Sequence, residues 1–193
     1  MSIIARALLA GAFMSLAATI PLEAQDGSSR GGLGLSIGLG VGSAGVTCEG
    51  CDDIDDRLDG ISGYLRIGNY VSDQMFLGVE GTGWMKNSEG FERRIAALSL
   101  VVLAYPVQRS GLFLRGGFGG IRAVVEYENL VVSGTGLTWQ AGVGYDIGVG
   151  AIAFTPYVTY VESLEVGANL NDESLGFNLN PNILQVGLAL TVR

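Results

Sequence analysis

The chain has 193 residues and a formal net charge of −8, so it offers no basic footprint for a nucleic-acid partner. Its 31 glycines follow no three-residue period and sit inside apolar alternation, which excludes collagen-like and low-complexity chains. It contains no histidine, which removes every Ser–His or His–Asp catalytic arrangement.

At the N-terminus, Arg6 supplies a positive start, residues 7–20 an apolar stretch, and Pro21-Leu22-Glu23-Ala24 a cleavage region. This pattern predicts a secretory signal peptide over residues 1–24, cut after Ala24, and one exported domain over residues 25–193. No later segment offers the ~20 apolar residues of a transmembrane helix.

The exported part alternates apolar with small or polar residues at the period of a β-strand, whose successive side chains point to opposite faces. Eight stretches are predicted. The first, 32–46, sets Leu33, Leu35, Ile37, Leu39 and Val41 against Gly34, Ser36, Gly38, Gly40 and Gly42. A polar, acidic insert over 47–59 follows. The second stretch (61–70) alternates Ile61, Leu65 and Ile67 with Ser62, Tyr64 and Arg66. The third (75–85) sets Leu77 and Val79 against Phe76, Glu80 and Thr82.

The fourth stretch spans 91–105. The fifth, 112–127, changes parity near Gly119-Gly120, where Leu112, Leu114 and Phe118 give way to Ile121, Ala123 and Val125; a bulge is expected there. The sixth (135–147) sets Leu137, Trp139, Ala141, Val143 and Tyr145 against Thr138, Gln140, Gly142, Gly144 and Asp146. A turn over 148–150 leads to the seventh (152–161). A long polar connection over 162–182 then precedes the eighth (183–193).

Connections after the second, fourth and sixth stretches are short, and those after the first and seventh long. That rhythm suits an antiparallel up-and-down barrel. Most stretches reach the ~9–11 residues that cross a membrane at a tilt. The second face is rich in Gly, Ala, Ser and Thr rather than in the Lys and Glu of a solvated surface. The greasy face is therefore expected to meet lipid, and the other to fill a narrow interior. The fold class expected is all-β: an eight-stranded transmembrane β-barrel, closed because lipid cannot satisfy an open strand edge.

If the turn between the second and third stretches centres on Asp73, Arg66 lies across from Glu80, both pointing inward as a charge pair. Arg115 and Gln140 are expected in the same polar interior. Tyr145 and Phe154 are expected near one rim, and Trp139, Tyr127 and Tyr160 near the other, as interfacial aromatic girdles.

These features together resemble the small eight-stranded outer-membrane β-barrels of Gram-negative bacteria, the class of the outer membrane protein A transmembrane domain and the porin-like small barrels. The resemblance spans roughly residues 32–193 and rests on signal peptide, strand pattern, turn rhythm and C-terminal strand. It implies a bacterial outer-membrane location, outer-membrane lipid as partner, and the barrel-assembly machinery during insertion. One departure is visible: such barrels usually end on an aromatic residue, whereas this chain ends Leu188-Ala189-Leu190-Thr191-Val192-Arg193.

Cys48 and Cys51 form a CxxC pair with no further cysteine or histidine to complete a zinc site. In an exported chain a disulfide across the first loop is expected. The run Asp52-Asp53-Ile54-Asp55-Asp56 does not follow a calcium-loop spacing, and reads as a solvated acidic loop. No metal, no cofactor and no enzymatic activity are expected. The function expected is structural or surface-interacting, with unidentified surface partners. A narrow porin-like channel is the alternative, and a soluble barrel holding an apolar ligand a third reading.

Overall fold

The computed structural model describes residues 31–48, 57–88, 90–107, 110–127, 130–149, 151–170 and 173–193. These form β1 (Gly32–Cys48), β2 (Leu58–Ser72), β3 (Met75–Ser88), β4 (Phe91–Ala104), β5 (Leu112–Tyr127), β6 (Leu130–Tyr145), β7 (Ile147–Val149), β8 (Ile152–Leu170) and β9 (Glu173–Val192). Hydrogen-bonded neighbours run β6-β5-β4-β3-β2-β1-β9-β8, and β6 returns to β8 to close the ring. The three residues of β7 continue the line of β6 beyond a break at Asp146 and pair with β8, Ile147 opposite Phe154. Nine segments thus make eight staves of an antiparallel up-and-down transmembrane barrel.

Strand alternation turns the greasy face outward. Leu100 is 71 % exposed and its neighbour Val101 2 %. Leu39, Leu65, Leu98, Phe118 and Leu188 share the exposed face, while Ser36, Thr138, Thr155 and Gln185 are buried. In water such a surface would be a large penalty, because apolar area left exposed forfeits ~25 cal/mol per Å². Against hydrocarbon the same surface is the favourable one, and ring closure leaves no unpaired strand edge.

Several sequence expectations are corrected. There is no bulge at Gly119-Gly120: Ile121 pairs with Ala97 on one side and Gly136 on the other without a register shift in β5. The apolar residues change face because the barrel's needs change. Towards the tight β3–β4 turn the interior becomes apolar and buries Ile121, while the exposed Arg122 marks the end of the lipid-facing belt.

The polar segment 162–182 is also not a loop. β8 runs on to Leu170 and β9 starts at Glu173, with Val166 opposite Leu179 and Leu170 opposite Glu173. Beyond a lipid belt a strand needs no apolar face, so hydropathy loses the strand while backbone pairing continues. The 148–150 turn likewise shifts, because Val149 pairs with Ile152 and leaves only residues 150–151 between them. Gly90, at φ 82°, takes the left-handed conformation required by the two-residue link from Ser88 to Phe91. The signal peptide, Cys51 and the acidic run 52–56 lie outside the described residues, so the expected disulfide does too.

Candidate functional site

The barrel interior is where inward-facing residues of all eight staves converge. A bulge at Val71 lets Asp73-Gln74 turn while keeping Arg66 opposite Glu80 on β2 and β3. Both side chains are buried, with Arg66 Nη1 3.5 Å from Glu80 Oε2. Arg115 reaches from β5 across the lumen to ion-pair with Glu80 Oε1, so one carboxylate bridges two guanidiniums. Arg115 also donates to Gln140 Oε1 at 2.9 Å and to Thr159 Oγ1 at 3.1 Å. Thr82 donates to Glu80 Oε1 at 3.1 Å. The four interior polar residues singled out from sequence therefore lie together, in a layer that also holds Thr82 and Thr159.

Tyr64 organises this layer. Its ring lies 5.1 Å from the Arg66 guanidinium carbon and 4.9 Å from that of Arg115, and it meets Tyr157 edge-on at 4.9 Å between centroids. Cation–π contacts of this kind strengthen where water is excluded. The rings fit because the facing wall is glycine: a β-carbon on Gly38 would collide with Tyr64 and crowd Tyr157.

Two apolar layers seal the polar one. Towards the chain termini, Tyr70, Phe76, Leu103, Tyr105 and Phe113 pack as one cluster. Towards the opposite end, Ala44, Trp84, Ile95, Ile121, Val161, Val166 and Ile183 form another, with Trp84 Nε1 donating to the Gly42 carbonyl at 2.9 Å. Among the described residues, Tyr64, Tyr70, Phe76, Trp84, Tyr105, Phe113 and Tyr157 are thus interior packing, and none of them was expected in a girdle. On the outer wall, Trp139 and Tyr160 do meet edge-on at 5.7 Å and Phe154 is exposed.

Sequence reasoning missed a second polar cluster. At the break between β6 and β7, the buried Asp146 accepts from Tyr105 Oη at 3.0 Å and from Thr155 Oγ1 at 2.7 Å. It also forms an ion pair with Arg193, whose guanidinium carbon lies 5.7 Å from the Tyr70 ring centre. The inward parity of Asp146 was legible from the sixth stretch; its meeting with Arg193 depends on ring closure. Among the described residues, no group of three or more His, Cys, Asp or Glu side chains is placed to hold a metal ion.

Neither a protein-family model nor a curated protein matches the chain. Solved structures do. Ail, the attachment invasion locus protein of Yersinia pestis, is similar with a TM-score of 0.54 and 14 % identity, covering 82 % of this chain and 98 % of Ail. Neisserial surface protein A (NspA) is similar at 0.54 and 12 %, covering 82 % and 96 %. The outer membrane protein OprG from Pseudomonas aeruginosa is similar at 0.50 and 14 %, covering 86 % and 98 %. At these identities the likeness is one of fold, and the fold is that of the small outer-membrane β-barrels.

Proposed function

We propose that this protein is an integral bacterial outer-membrane barrel with a structural or surface-interaction role, exported by the signal peptide over residues 1–24 and exposing its long hairpins and loops. The observation that carries this reading is the sealed interior. Glu80, Tyr105, Phe113 and Ile183, at successive levels of the interior, are each at most 1 % exposed, as expected of a lumen filled by its own side chains. An eight-stranded barrel has room for its own side chains and little else. Its working surfaces are then the lipid-facing wall and whatever projects beyond it.

Planar-bilayer recording of the refolded protein tests this. The expected result is the absence of a reproducible unitary conductance while circular dichroism and heat-modifiable migration report a folded barrel. A stable open pore under those conditions would replace the reading with a transport function.

A further inference from the structure

The middle layer of the barrel carries an unbalanced charge. Among the described residues, the buried charged side chains are Arg66, Glu80, Arg115 and Asp146. Asp146 takes Arg193 as its partner at the terminal end, beyond the Phe113 layer. Arg66 and Arg115 are left sharing the single carboxylate of Glu80. Two guanidiniums against one carboxylate leave one positive charge among buried side chains. The cost of isolating a buried ion is several kcal/mol.

Hydrogen bonding points the same way. The Arg115 Nε and the Gln140 and Gln185 amide nitrogens are buried without a partner, as is the Tyr157 hydroxyl, which can donate or accept, and Arg66 Nη1 stands beyond hydrogen-bond geometry. Among the described residues, Glu80 Oε2 and Gln185 Oε1 are the carboxylate and amide acceptors left over beside these N–H groups, fewer than the N–H donors themselves. Surplus donors and surplus positive charge in one enclosed place both call for a negatively charged acceptor.

We propose that this layer binds one small monovalent inorganic anion, such as a halide, against the guanidiniums of Arg66 and Arg115. The anion completes the charge balance of the core and takes up the surplus N–H and O–H donors around it. Because apolar layers close both ends, the anion enters as the barrel folds and exchanges slowly afterwards.

The test is to refold the full chain in detergent with bromide as the halide, remove free salt, and count bromide per barrel by elemental analysis. About one retained bromide per chain is expected. Gln140→Glu places a carboxylate where Arg115 already donates at 2.9 Å and so supplies the missing charge internally. Its retention is expected to fall at least tenfold. No retained bromide in the wild type, or equal retention in a folded Gln140→Glu variant, overturns the proposal. Anomalous diffraction from wild-type crystals grown in bromide gives a measurement independent of the variant. A peak between Arg66 and Arg115 supports the site; water alone there, or bromide only on the outer surface, overturns it.

Discussion

Replacing Glu80 with alanine removes the carboxylate on which both central arginines depend. Glu80 is fully buried, ion-paired to Arg115, 3.5 Å from Arg66, and hydrogen-bonded by Thr82. A charge pair near 4 Å is worth about 4 kcal/mol at an effective dielectric of 20. Removing one partner of a buried pair typically costs ~3–5 kcal/mol, because the remaining charge stays buried without compensation. Here two guanidiniums are left facing one another, while water drawn into the space offsets part of the penalty. We expect a net loss of about 4 kcal/mol, against the ~5–15 kcal/mol that stabilises a typical domain. With a urea slope near 2 kcal/mol/M, the midpoint falls by about 2 M.

The assay is reversible urea unfolding in lipid or detergent, followed by the fluorescence of the buried Trp84 and the outer-wall Trp139. Glu80→Gln separates charge from cavity, since it keeps the volume and removes only the ionisation; most of the loss is expected to persist. Adding Arg66→Leu to Glu80→Gln is expected to recover part of the stability, and the double-mutant cycle gives the coupling. A loss below about 1 kcal/mol in Glu80→Ala, or a wild-type Glu80→Gln, would refute a charge-bridged core and leave only packing.

Two other outcomes follow from the same geometry. Asp146→Asn weakens the bonds from Tyr105 and Thr155 and abolishes the ion pair with Arg193, so a loss of about 1–3 kcal/mol is expected in the same unfolding assay. The parity of β5 is read by single cysteines in a chain lacking Cys48 and Cys51. A cysteine at Arg122 is expected to react with a soluble maleimide in the folded barrel, and one at Ile121 only after unfolding; the reverse order would restore the bulge.

The lipid-facing half of the fold was legible because a period of two with one apolar face has few other solutions. The Arg66–Glu80 pairing was expected from a turn centred on Asp73; the chain in fact turns at Asp73-Gln74, and the bulge at Val71 restores that register, while Arg115 and Gln140 followed from parity. The bridge from Arg115 to Glu80 was not, since β5 and β3 are not neighbours in the ring and only curvature brings them together. Ile121 misled because a change of apolar parity was assigned to the backbone. The backbone keeps its register, and it is the surroundings of each face that change. The continuation of β8 and β9 past the belt was hidden for a related reason: pairing there rests on backbone hydrogen bonds that hydropathy does not report.

Both faces of every stave are therefore committed within the belt, the outer to lipid and the inner to packing around the charged layer. On the surface-interaction role we propose, recognition falls to the part of the wall beyond the belt. On the outer face of β4 and β5, Arg94 bonds Glu92 at 2.7 Å and reaches Glu126 at 3.5 Å, with all three side chains at least 40 % exposed. Such exposed pairs add little stability. On the far side, Arg57 donates to the Ser43 carbonyl at 2.5 Å and to Asn182 Oδ1 at 2.6 Å, tying the start of β2 to β1 and β9. The acidic connection 49–56 thus ends on a residue held by two other strands. Among the described residues, the charged groups beyond the belt are thus tied to the wall, in keeping with the surface-interaction role we propose, whereas a conduit would need an open axis.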